Sequence, residues 1–209
     1  MSYPSAKSWL GAAYFGFLRC ISPRHLSHGL PVWTPLSTSA ERSLIYERLD
    51  AALSLLRAHA PARYGRTVRS LRGFVILGTD SSTASYDPVN GICRLGETFT
   101  TSAATTSAAI ACTVVHEATH AWLFKRNIGY DEPIRHRVEL VCIKAALLAA
   151  RKLPNAEAEV EECRGQMSLE PEYFSNEKCI KRGMERLRQI GCPEWFIRGV
   201  EWIARKRAA

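Results

Sequence analysis

The hydrophobic rhythm of the chain changes near residue 107. Before that point one long helical stretch is followed by short apolar runs, and after it apolar residues recur at spacings of three and four almost to the end. Thr38 and Glu41 have capping-box spacing, and a helix to about His59 follows, with Leu44, Ile45, Leu49, Leu53 and Leu56 on one face. Pro61 ends it and opens a shorter basic helix to about Leu71. FVIL, residues 74–77 between Gly73 and Gly78, predicts a buried strand. Asn90 and Gly91 predict a hairpin between strands near residues 84–86 and 92–95. Residues 98–107, TFTTSAATTS, read as a polar connector whose last hydroxyl caps the next helix.

The second half predicts one helix over about 108–126, broken at Asn127-Ile128-Gly129, where the glycine can take a left-handed turn. Asp131 can cap a new helix with Pro133 in its first turn, running to about Leu153 and stopped by Pro154. Asn155 starts another, and further helices are expected at about 176–190 and 193–205, split by Gly191 and Pro193. Trp195, Phe196 and Trp202 fall at helical spacing and read as a docking face. No internal repeat occurs. The expected class is α+β, mostly helical: a small sheet in the N-terminal half, then a helical C-terminal half. Residues 1–37 stand apart from a single domain over 38–209. They comprise the apolar run WLGAAYFGFL (9–18) and a connector carrying Pro23, Pro31 and Pro35. Ten residues are about half a membrane span, so that run reads as a helix packed on the domain or lying on a membrane surface, and otherwise as a short signal-anchor.

One of these helices carries chemistry. TVVHEATHAW, residues 113–122, places His116 and His120 four apart, hence on one helical face, where both imidazoles can meet one ion. Glu117 lies about a third of a turn away and can act as a base on water without binding the metal. The flanking Val114, Val115, Ala118, Ala121 and Trp122 are uncharged, and burying polar groups among such neighbours is costly unless they have partners. Three protein ligands plus an open position is the arrangement of a catalytic zinc. A histidine six positions after the second would continue the metzincin pattern, but that residue is Arg126. Glu139, in an apolar stretch of the following helix, is the expected third ligand, with Glu132, His136 and Asp131 as alternatives.

HEATH followed by a glutamate in the next helix resembles the gluzincin branch of the zincin-like metallopeptidases, over about residues 74–153. The resemblance implies a minimal zincin-like domain that hydrolyses peptide bonds in a peptide or protein substrate. His116, His120 and Glu139 would hold Zn2+, and Glu117 would be the catalytic base and proton shuttle. An edge strand, here taken as 92–95, would bind extended substrate by β-augmentation. Ile143 stands where thermolysin-like members carry an aspartate that orients a histidine, so that acceptor has to come from Asp50, Asp80, Asp87 or Asp131. Tyr130, Arg135 and His136, with Tyr173, are the candidates for oxyanion or substrate contacts. A binding or regulatory protein on the same scaffold is the alternative.

Composition adds little to this. The chain has 209 residues, 46% apolar and 23% charged, as a soluble globular domain does. The net charge of +8 raises the question of nucleic acid or anionic membrane, but no RNP, KH or zinc-finger pattern accompanies the arginines. Seven cysteines, an odd number with no CxxC, favour reduced thiols and a cytoplasmic setting, with membrane association through residues 9–18 as the alternative.

Overall fold

The computed structural model describes residues 22–78, 83–189 and 191–208, with isolated positions 16 and 20. The reading of residues 9–18 as a membrane or packing helix therefore lies outside the described residues, as does Asp80. Among the described residues no helix is long and apolar enough to cross a membrane.

The fold is α+β and mostly helical, with one five-stranded mixed sheet. The strands are β1 (Arg24–Ser27), β2 (Leu30–Trp33), β3 (Phe74–Leu77), β4 (Ala84–Asp87) and β5 (Ile92–Gly96). Their spatial order is β1-β2-β3-β5-β4, antiparallel at both ends and parallel in the middle. Helix α1 (Ser39–His59) starts at the Thr38–Glu41 capping box, with both reciprocal hydrogen bonds formed. It buries Ile45, Leu49, Leu53 and Leu56, but Leu44 lies off that face and is exposed. Then follow α2 (Pro61–Ser70), α3 (Glu97–Thr101), α4 (Ser107–Phe124), α5 (Arg135–Ala150), α6 (Glu157–Met167), α7 (Asn176–Gln189) and α8 (Glu194–Ala208).

Strand alternation divides the sheet between two faces. Val32, Phe74, Ile76, Cys93 and Leu95 point into the main core with α1, α4 and α5, whereas Trp33, Val75 and Ile92 form a small cluster on the opposite face. Helix α4 is central, packing against α1, α2 and α5 and lying beside β4. It has no lysine or arginine, Glu117 is its only acidic residue, and it is buried around most of its girth, so tertiary packing rather than an amphipathic stripe holds it.

Four local readings change. The expected connector over 20–37 contains a β-hairpin, because His28 and Gly29 both take positive φ (50° and 82°), the geometry of a two-residue turn matched to strand twist. Residues 97–101 are helical rather than a connector, and Thr106, not Ser107, caps α4 by accepting from the N–H of Ala109 at 2.9 Å. At the 127–129 break Asn127 takes the left-handed conformation (φ 59°), not Gly129. Asp131 makes no side-chain cap bond; a 3-10 turn, Glu132–Ile134, precedes α5. At the C-terminal end Trp195 and Trp202 stay 76% and 63% exposed, so the expected docking face is uncovered among the described residues.

Candidate metal centre

The helical period sets His116 and His120 on the face of α4 that meets α5, and their Nε2 atoms lie 3.1 Å apart. Helix α5 returns across that face and brings the Glu139 carboxylate within 3.2 Å of His116 Nε2 and 3.6 Å of His120 Nε2. The three side chains thus form a triangle, with the two Nε2 atoms 3.1 Å apart and the carboxylate turning Oε2 to His116 at 3.2 Å and Oε1 to His120 at 3.6 Å. Zn–N and Zn–O bonds of about 2.0–2.2 Å at tetrahedral angles place donors roughly 3.3 Å apart. Two imidazoles and a carboxylate at these separations suit a divalent transition-metal ion in both geometry and donor chemistry.

The surrounding groups shift all three side chains, and hold Glu139 and His120 in the charge state in which each binds a metal. Burial alone would raise the Glu139 carboxyl, but the hydrogen bond from His116, the charges of both histidines and the Tyr130 hydroxyl overcome it and hold it near about 2. Burial lowers His120 to about 4, helped by His116 and opposed by Glu139, so its ring is neutral and has a free lone pair. Burial also pulls His116 down, but the Glu139 hydrogen bond and the Glu117 and Glu139 carboxylates leave it raised.

Glu117 is buried at the floor of the same cleft and does not join the triangle. Its carboxyl accepts a hydrogen bond from the backbone N–H of Tyr86, which ties it to β4. Burial lifts it to about 7; the neighbouring Glu139 adds to the rise, and His116 and the Tyr86 amide oppose it. The cleft holds about 510 Å³, bounded by β4, α4 and the 128–131 loop.

The remaining candidates separate. Tyr130 lines the cleft, donates its hydroxyl to Glu139 and sets its ring edge-on to His120 at 5.3 Å. Burial and the Glu139 charge raise its phenol, so it stays protonated. Arg135 lies outside the cleft, with its guanidinium over the Tyr130 ring at 4.7 Å and a bond to Glu132, so it braces the loop instead of touching a ligand. His136 packs on Phe174, and Glu132 accepts the N–H of Asn176 at the start of α7, so neither converges on the histidines. Tyr173 stacks with Arg182 away from the cleft. Asp131 lines the cleft, whereas Asp50 bonds His25 and Ser27, and Asp87 bonds its own turn and Arg94.

Cys142, which the sequence places one turn beyond Glu139 and so near the site, puts its sulfur within 4.8 Å of a ring nitrogen of each histidine, and burial raises its thiol. Two features escaped the sequence. The strand next to the site is β4, not 92–95: β5 is paired on both sides and β4 is the open edge. Glu159 and Glu162 of α6 line a hollow beside His116. Both depend on contacts distant in sequence, whereas the cysteine had its signal in the i+3 spacing from Glu139.

No protein-family model, curated protein or solved structure matches this chain. What the site does is therefore argued from its own geometry.

Proposed function

We propose that the chain is a zinc-dependent hydrolase acting on peptide bonds, with a minimal zincin-type layout of edge strand, histidine helix and glutamate helix. The observation that carries this reading is the convergence of His116, His120 and Glu139 into a triangle of metal-ligand dimensions, with Glu117 beside it but outside it. His116, His120 and Glu139 would hold the ion. Glu139 is favoured over Cys142 because it is nearer and already ionised, whereas the buried thiol would have to lose a proton. Zinc in such a site supplies Lewis-acid activation of water and of the scissile carbonyl.

The chain's own groups supply the rest. Glu117 takes a proton from the attacking water, whose oxygen bonds the carbonyl carbon. The C–N bond then breaks, and Glu117 passes that proton to the leaving amine. The Tyr86 amide fixes the carboxyl that does this. Tyr130 orients Glu139 through its hydroxyl and is the one of the four candidates for oxyanion contact that lines the cleft.

Elemental analysis with a peptide-library assay tests the reading. Wild type should carry about one zinc per chain; His120→Ala and Glu139→Ala should each lose it. Glu117→Gln should keep the metal and lose at least about 100-fold in hydrolysis, the usual contribution of a general base. Absence of stoichiometric metal in the wild type would sink it.

A second reading, a metal-binding protein without hydrolytic activity, has one observation in its favour. Tyr130 and Cys142 crowd the same triangle and could complete a closed coordination shell. Retained zinc with no cleavage of any library peptide, and no effect of Glu117→Gln, would select it.

A further inference from the structure

The cleft continues past His116 and Glu117. On that side a second hollow of about 280 Å³ shares Ala84, His116 and Glu117 with the first. The two halves differ in chemistry. The first is walled by Tyr86, Leu123, Phe124, Ile128 and Val138, and Phe124 and Ile128 remain 48% and 40% exposed. Exposed apolar side chains grouped at a cleft mark a surface that awaits an apolar ligand.

The second half is acidic in a chain whose net charge is +8. Glu159 is only 6% exposed. One of its carboxylate oxygens accepts the Thr106 hydroxyl at 2.6 Å, and the other is buried with no hydrogen-bond partner. Glu162, one turn on, accepts from the Gln166 amide. Neither glutamate has an ion-pair partner among the described residues. A buried carboxylate oxygen without a partner is costly, and a cation brought by a ligand removes that cost.

Strand β4 joins the halves. The Thr83 carbonyl accepts from Gly96 of β5, and bonded residues alternate along an antiparallel ladder, so Ala84 and Tyr86 turn their backbone groups to the open edge. The acidic half lies by Thr83 and Ala84, the apolar half by Tyr86 and Pro88. An extended chain added antiparallel, the more stable pairing, would run from the apolar half to the acidic one.

We propose that the site takes an extended polypeptide along β4, with an aromatic or large aliphatic residue before the scissile bond and a lysine or arginine after it, the basic side chain meeting Glu159 and Glu162. This rests on the hydrolase reading of the same site. The specificity is opposite to what the overall positive charge of the protein would suggest.

Fluorescence anisotropy on full-length Glu117→Gln, zinc-loaded and metal-free, with labelled peptides whose central pairs are Phe–Lys, Phe–Glu, Phe–Gln and Lys–Phe tests this directly. Phe–Lys should bind on the order of tenfold tighter than Phe–Glu, since like charges at an interface are strongly disfavoured. Adding Glu162→Gln, a change at an exposed position, should weaken Phe–Lys by roughly fivefold and leave Phe–Gln unchanged. Equal affinities, or tightest binding of Lys–Phe, would overturn the proposal. Mass-spectrometric cleavage of the same peptides by wild type separates the two claims. Cleavage without preference would overturn the specificity and leave the hydrolase standing. Binding with the stated preference but no cleavage would do the reverse.

Discussion

Glu117 illustrates how a single side chain sets a pH dependence. Its carboxyl titrates at 4.5 in an unfolded chain and at about 7 in the metal-free fold, where burial disfavours the charge. Below 4.5 it is protonated in both states and has no effect. Between 4.5 and 7 the unfolded chain ionises first, so folding stability falls as pH rises. Above 7 the full penalty stands, on the order of 3 kcal/mol. Glu117→Gln keeps the shape and cannot ionise. Metal-free Glu117→Gln should therefore melt well above metal-free wild type at pH 8 and close to it at pH 5 by calorimetry. Parallel melting curves at the two pH values would mean the carboxyl is not held in an apolar setting. The four main residues of the site were legible from sequence because three of them lie within one helical turn and a half, where spacing alone dictates a common face. Glu139 was legible because a carboxylate in an apolar run needs a partner. Cys142 and Tyr130 were harder, since a thiol or a phenol satisfies a core or a surface equally well.

Among the elements, the strands and helices with strong local signals appear where expected: the capping box of α1, FVIL as β3, the Asn-Gly turn before β5. The β1–β2 hairpin was hidden because its turn is His28-Gly29 and one of its strands carries Pro31, a residue that argues against a strand. Pro31 is tolerated in β2, beside the edge strand β1, and its carbonyl has a strict requirement of its own neighbour. At Gly73, φ is 157° and an added Cβ would lie 2.5 Å from the Pro31 oxygen. Gly73→Ala must therefore push β3 away from β2, and urea titration should show a loss of more than about 1 kcal/mol. A neutral result would mean that the two strands are not packed this closely.

Across the whole molecule, stability is distributed unevenly. The sheet, α1, α4 and α5 share one continuous core, while the α7–α8 hairpin, among its described residues, buries little beyond Met184 and Ile197. Hydrogen exchange should therefore be faster for amides of α7 and α8 than for those in the middle of α4, which should exchange only through global unfolding. Equal protection would imply that the hairpin is covered in solution. The molecular scale is also where sequence reading failed most: the acidic wall comes from α6, more than forty residues beyond Glu117, and only tertiary packing brings it to the cleft. The open edge of β4 has a consequence for self-association. An unpaired strand is a template on which further copies can stack. Here the template is four residues long, only Ala84 and Tyr86 face outward, and the Tyr86 amide is already taken by Glu117. The few groups left facing outward can hold one short peptide whose side chains are gripped by the hollows on either side, but they are too few to extend a ladder from molecule to molecule, so the Glu117 carboxylate also guards the edge against aggregation.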